Sequence, residues 1–146
     1  MIVVPSAKNG PVIALKPDVE GDVTDNEEFQ FWKLPKGTPD VSTPLIHDGY
    51  VYITRENGIV SVTDASTGEQ TFQERMLADK HRSSAVAADG KLYITGRRGV
   101  VTVLKMGAKP ELLSEFGLGE ETTASPAISG GRVFIRTYDA LYSFKK

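Results

Sequence analysis

The chain has 146 residues, 40% of them hydrophobic, with a formal net charge of -2 and no cysteine. That length allows one domain with a sizeable core. The lack of cysteine excludes disulfides, thiolate metal sites and a Cys nucleophile, and the slightly acidic balance excludes the basic footprint of a nucleic-acid-binding protein. No apolar stretch approaches the ~18–20 residues of a membrane span. The opening Met1-Ile2-Val3-Val4-Pro5 lacks the basic start and apolar core of a signal peptide.

In chain order, Met1-Ile2-Val3-Val4 and Val12-Ile13-Ala14-Leu15 read as strands joined through Asn9-Gly10, and Phe29-Gln30-Phe31-Trp32-Lys33 reads as a third. The loop before that third strand, residues 18–28, holds six acidic residues and no basic one. Hard oxygen donors at Asp18, Glu20, Asp22 and Asp25 around Gly21 are its metal candidates, for which Ca²⁺ is the matching ion. Their spacing is not that of an EF-hand loop and no helical pattern flanks them, so the segment reads as an acidic, solvated loop with no metal.

From residue 42 the chain repeats itself. Asp48-Gly49-Tyr50-Val51-Tyr52-Ile53-Thr54 returns as Asp89-Gly90-Lys91-Leu92-Tyr93-Ile94-Thr95, and again as Gly130-Gly131-Arg132-Val133-Phe134-Ile135-Arg136. Gly49, Gly90 and Gly131 are spaced 41 residues apart. A period of ~40–45 residues with strand-like content is the mark of a propeller blade. Each copy starts with a small polar segment (Ser42-Thr43-Pro44, Ser83-Ser84-Ala85, Ala124-Ser125-Pro126) and a short apolar strand. A two-residue turn then leads into the alternating run. Asp-Gly and Gly-Gly between extended runs are hairpin signals, because glycine accepts positive φ. A further turn precedes Ile59-Val60-Ser61-Val62 and Val100-Val101-Thr102-Val103, β-branched runs suited to a half-buried pleated surface.

Asp64-Ala65-Ser66-Thr67-Gly68 closes the third strand of the first full copy. A carboxylate there accepts from backbone N–H groups of the turn while Gly68 takes positive φ. Asp64, Thr67 and Gly68, with Gly49, Gly90 and Gly131, are therefore structural turn positions. A fourth strand follows near Gln70-Thr71-Phe72-Gln73, and in the next copy near Glu111-Leu112-Leu113-Ser114.

The count predicts an all-β chain: a single partial β-propeller over residues 1–146, with blades of four antiparallel strands at roughly 1–41, 42–82, 83–123 and 124–146. The first and last blades have three strands each, giving about three and a half blades. Sheets of this kind bury their faces by stacking radially, and a ring needs about four to eight blades. Open propeller ends of this kind invite association. Two copies would supply enough strands for seven blades, and the other expectation is that the chain is the C-terminal piece of a longer propeller.

Few residues point to chemistry. The adjacent pairs Glu27-Glu28 and Glu120-Glu121 diverge along an extended chain and do not make a general acid/base pair. His47 and His81 stand 34 residues apart at strand or loop edges, without a metal triad. No serine has a nucleophile-elbow context. Lys91, Arg97 and Arg98 read as a solvated hairpin edge. Trp32, Tyr50, Tyr52, Tyr93 and Tyr138 fit inter-blade packing, with a ligand-lining face as the other reading.

Val51-Tyr52-Ile53, Gly58, Val60-Ser61-Val62, Asp64, Thr67-Gly68 and Phe72, with Trp32 in the final aromatic place one copy earlier, resemble the PQQ-like β-propeller repeat of the quinoprotein alcohol dehydrogenase-like superfamily. Nearly the whole chain is similar to the C-terminal part of uncharacterised bacterial members. The resemblance implies a propeller exported to the periplasm or cell surface. It implies one of two functions: a scaffold that has lost its cofactor and recognises protein or ligand, as in the propeller lipoprotein of outer-membrane barrel assembly, or a fragment of a dehydrogenase that holds pyrroloquinoline quinone with calcium. The enzymes' vicinal cysteines have no counterpart here, and no catalytic residue carries over. The reading is thus a binding scaffold without a cofactor, whose partner is a protein or a second copy of itself.

Overall fold

A computed structural model describes residues 1–6, 8–23 and 26–145. Among the described residues, fourteen strands form four antiparallel sheets. Sheet 1 is β1 (Ile2–Pro5), β2 (Val12–Leu15) and β3 (Gln30–Leu34). Sheet 2 is β4 (Leu45–His47), β5 (Tyr50–Thr54), β6 (Ile59–Asp64) and β7 (Gln70–Arg75). Sheet 3 is β8 (Val86–Ala88), β9 (Lys91–Thr95), β10 (Val100–Lys105) and β11 (Glu111–Gly117). Sheet 4 is β12 (Ala127–Ser129), β13 (Arg132–Arg136) and β14 (Leu141–Lys145). Every sheet is a meander in sequence order. No α-helix occurs among the described residues; the only helical piece is a 3-10 turn at Glu27–Phe29, capped by Asn26, whose Oδ1 accepts from the Glu28 N–H at 3.0 Å.

The first strands of the later sheets gather, with β8 lying against both β4 and β12, so the sheets fan out from one side. This is part of a β-propeller. Side chains of period two let one strand serve two interfaces. On β5, Val51 and Ile53 pack with Val12, Ala14 and Trp32 of sheet 1. Tyr52, between them, turns the other way to Leu92, Ile94 and Leu104 of sheet 3. Sheets 3 and 4 meet through the Phe116–Phe144 edge-to-face pair, with ring centroids 5.5 Å apart.

Polar bonds repeat with the sequence. The Ser42 hydroxyl donates to Thr54 O at 2.9 Å and the Ser83 hydroxyl to Thr95 O at 2.6 Å; before β12 the same task falls to Thr122, which donates to Arg136 O at 2.6 Å. Across sheets, Thr43 N–H donates to the Ser84 hydroxyl at 3.0 Å and Ser84 N–H to that of Ser125 at 2.9 Å. Equivalent residues of neighbouring blades are thereby hydrogen-bonded to each other, which sets how each blade is rotated against the next.

Candidate functional site

The fold has two ends. One carries the tight turns Asp48-Gly49, Asp89-Gly90 and Gly130-Gly131, in which both residues have positive φ, as two-residue hairpin loops require. The Asp64 turn lies at the same end. Asp64 Oδ1 accepts from Ser66 N–H at 2.8 Å, the Ser66 hydroxyl at 2.6 Å and Thr67 N–H at 3.0 Å, and Gly68 N–H donates to Asp64 O at 2.9 Å. The bond from the Ser66 hydroxyl, then those from Thr67 and Ser66 N–H, hold the carboxyl below its ordinary value. Trp32 from sheet 1 lies over this turn, its indole N–H donating to Ala65 O at 2.8 Å. Between sheets 2 and 3, Tyr52 OH reaches Gly107 in the corresponding turn, accepting from its N–H at 3.0 Å. Thus Trp32 and Tyr52 are inter-blade packing residues. A cleft of about 680 Å³ opens at this end between sheets 3 and 4, with Tyr93, Val103, Ile128, Val133 and Phe144 inside and Lys91 and Arg132 on its rim.

The other end carries the second hairpin turns and the linkers between sheets. Here the linker from Met76 to Ala85 crosses beneath the Gly96–Gly99 turn and places two titratable groups: Asp79, which the sequence does not single out, and His81. The Asp79 side chain is 3% exposed and pairs with Arg98, whose Nε lies 3.2 Å from Oδ1. It also accepts from the backbone N–H groups of Lys80 and Arg98. Burial opposes its charge, yet these bonds prevail and hold the carboxyl below its ordinary value. Gly96 leaves the space: a Cβ there would stand 2.6 Å from Asp79. His81 lies inside the fold rather than at a strand or loop edge. It is 1% exposed, its Nδ1 lies 3.2 Å from Thr95 O, and burial lowers its pKa. Its Nε2 is buried without a partner among the described residues.

A cleft of about 550 Å³ opens beside them between sheets 2 and 3. Arg75, Lys80, Arg97, Arg98, Asp79 and Glu121 line it over Leu77 and Ala78. Lys91 does not join Arg97 and Arg98. It lies at the opposite end of β9, in the rim of the other cleft, so the three do not form one edge. Glu120 and Glu121 diverge: Glu120 accepts from Thr137 Oγ1 and from Tyr142 OH (2.7 Å), while Glu121 faces the cleft between sheets 2 and 3.

Of the remaining expected positions, Asp18, Glu20 and Asp22 lie exposed on the loop after β2, and Asp25 is outside the described residues. No three His, Cys, Asp or Glu gather to hold a metal among the described residues. His47 Nε2 lies 3.3 Å from Asp48 Oδ2 beside the first hairpin turn. Tyr138 is 64% exposed on the loop before β14. No described helix is long and apolar enough to cross a membrane.

No protein-family model matches the chain, and no curated protein matches it. Solved structures do. BamB from Moraxella catarrhalis superposes with a TM-score of 0.74 at 17% identity, over 98% of this chain and 42% of that one. Quinohemoprotein alcohol dehydrogenase from Comamonas testosteroni gives 0.53 at 20% identity, over 65% of this chain and 16% of that one. The quinohemoprotein alcohol dehydrogenase ADHIIG from Pseudomonas putida HK5 gives 0.53 at 21% identity, with the same coverage. The chain spans less than half the length of each. What these likenesses share with the 41-residue repeat is the architecture: the chain has the fold of a PQQ-like β-propeller, of which it forms a part.

Proposed function

We propose that the chain is a non-catalytic propeller segment that presents its blade ends to a protein or ligand. One observation carries this reading: four acid–base groups with displaced pKa values are occupied in holding the fold. Asp64 closes a turn, Asp79 holds Arg98, Glu120 joins Thr137 and Tyr142, and His81 is bound to Thr95 beneath β9. Burial lowers the pKa of His81 and structural hydrogen bonds lower those of the three carboxyls, and such structural causes displace pKa values without any catalytic role. Blades at roughly 1–41, 42–82, 83–123 and 124–146 are the units of this scaffold. Export to the periplasm or cell surface, as the resemblance implies, belongs to the same reading, and fractionation of the native host would test it.

The second reading, part of a quinone-dependent dehydrogenase, is favoured by the fold it shares with two such enzymes. The side chains do not suit that cofactor. The chain's one tryptophan, Trp32, is 8% exposed and tied to Ala65 O, so it offers no free face for a quinone. The described carboxylates make no group of three for calcium. Titration of the full chain with pyrroloquinoline quinone and Ca²⁺ decides between the two. The expected result is no saturable uptake and no dye-linked alcohol oxidation; stoichiometric uptake with turnover would overturn the scaffold reading. Self-association is read from the mass in solution, where a discrete species near twice 15.9 kDa is a dimer.

A further inference from the structure

We propose that the cleft between sheets 2 and 3, at the end carrying Asp79 and Arg98, docks an acidic peptide segment of a partner protein. This deepens the protein-recognition reading above and rests on it.

The argument begins with what the repeat demands of this place. Its backbone recurs bond for bond one blade on. His81 N–H donates to Glu56 O at 3.1 Å, and Thr122 N–H to Arg97 O at 3.0 Å. Arg97 N–H donates to Lys80 O at 2.8 Å, and Tyr138 N–H to Glu121 O at 3.1 Å. Leu77 N–H donates to Gly58 O at 3.2 Å, and Leu118 N–H to Gly99 O at 2.9 Å. The side chains do not recur. Lys80 stands where the neighbouring repeats have Pro39 and Glu121; Arg97 where they have Glu56 and Tyr138; Arg98 where they have Asn57 and Asp139; Arg75 where they have Leu34 and Phe116. The next blade therefore builds the same framework without these cations, and the propeller does not require them.

The charges are then asymmetric within the cleft. Four cations face two carboxylates. Asp79 is taken up by Arg98, and Arg75 Nη1 donates to Asn57 O at 2.5 Å. The Lys80 and Arg97 side chains make no hydrogen bond or ion pair among the described residues, so Glu121 alone stands opposite them in the lining. Guanidinium groups suit carboxylates by their two-pronged geometry. Leu77 and Ala78 supply an apolar floor for the methylenes of a Glu side chain, and the volume of about 550 Å³ is far more than a single small anion fills. A side-chain-bearing carboxylate segment meets all three features.

The test is fluorescence anisotropy of the full chain with a labelled octapeptide of alternating Glu and Ala, at low salt, against its Gln counterpart. The Glu peptide is expected to bind saturably and the Gln peptide not to bind. The double substitution Lys80→Gln with Arg97→Gln should weaken the Glu peptide by about ten-fold or more. Removing the same charge at the opposite end, by Lys91→Gln with Arg132→Gln, should leave binding within about two-fold. Equal loss in both double variants would show diffuse attraction and overturn the site, as would no saturable binding of the Glu peptide. Inorganic phosphate displacing the peptide more than chloride of the same ionic strength would replace the peptide by a free anion and also overturn the proposal. Unchanged thermal melting shows that the variants fold. Failure here leaves the scaffold reading standing, because that reading fails only by quinone uptake with turnover.

Discussion

Replacing Gly68 by alanine tests how the sheets are locked together, and Gly49→Ala is its matched control. The two glycines have nearly the same backbone, φ 77° and 78°. Alanine in that conformation costs about 1–2 kcal/mol at either site. The surroundings differ. Nothing lies within 4 Å of a Cβ built on Gly49, whereas one on Gly68 would stand 2.6 Å from both Cβ and Cγ of Trp32. Those atoms belong to the stem of a buried ring and cannot swing aside without moving it. Displacing it adds an overpacking cost of about 1–3 kcal/mol. It also weakens the bond from Trp32 to Ala65 O, worth about 0.5–1.5 kcal/mol. Gly68→Ala should therefore lose about 3–5 kcal/mol and Gly49→Ala about 1–2 kcal/mol. With a urea slope of about 1–3 kcal/mol/M, the two midpoints should differ by roughly 1 M. Trp32 is the one tryptophan, so its emission reports the site directly and should shift to the red in Gly68→Ala only. Equal midpoints and unshifted emission in both variants would refute the idea that this turn is the latch between sheets 1 and 2.

Tyr52→Phe removes the hydroxyl bridge to Gly107 and leaves that N–H inside the interface; it should cost about 1–2 kcal/mol in urea unfolding, while Tyr93→Phe, at the repeat-equivalent position without such a bond, should be close to neutral. For His81 the sign follows from burial, which lowers its pKa in the folded chain below 6.5 against weaker opposing pulls from Thr95 O, Asp79 and Glu115. The unfolded chain then binds more protons just below pH 6.5, so stability should fall as pH drops through that value, and His81→Gln should flatten this part of a stability–pH curve. Asp64 works in the other direction of charge. Its depressed carboxyl gives stability that is present above its ordinary value of 3.8 and is lost as pH falls through the folded value, and Asp64→Asn should remove that acid-side loss in the same measurement.

The strands and tight turns were legible because period-two runs and Asp-Gly pairs are local signals. The start of β3 was less so. Phe29 looks like the first residue of a strand, but Asn26 caps a 3-10 turn that takes it, and β3 begins at Gln30. The polar interior was not legible. His81 is buried because a linker passes under Thr95, 14 residues away, and Asp79 meets Arg98 across 19 residues. Such pairings follow from docking one blade on the next and leave no periodic trace. Grouping Lys91 with Arg97 and Arg98 failed for a simpler reason: a five-residue strand separates them, and its rise of about 3.3 Å per residue carries them to opposite ends of the sheet.

The two outer faces of the segment are chemically unlike, and that bears on how it would associate. The face of sheet 1 turned away from sheet 2 carries Ile2, Val4, Ile13, Leu15 and Phe31, with Ile2 and Phe31 45% and 48% exposed, and one cation, Lys33, opposite Ile13. The corresponding face of sheet 4 carries Arg132, Arg136 and Lys145 beside Phe134 and Leu141. Two copies joined head to tail into a ring would press the first face on the second, and bringing Arg132, Arg136 and Lys145 against Lys33 and aliphatic side chains with no carboxylate among them is costly. A two-fold contact of sheet 1 on sheet 1 matches apolar with apolar and brings in only one cation per copy, Lys33, whose long stem lets its ammonium reach the rim. A dimer of this chain should therefore run through Phe31 and its neighbours. In light scattering Phe31→Lys should return it to the monomer mass, and Arg136→Gln should not; the reverse pattern would favour the ring.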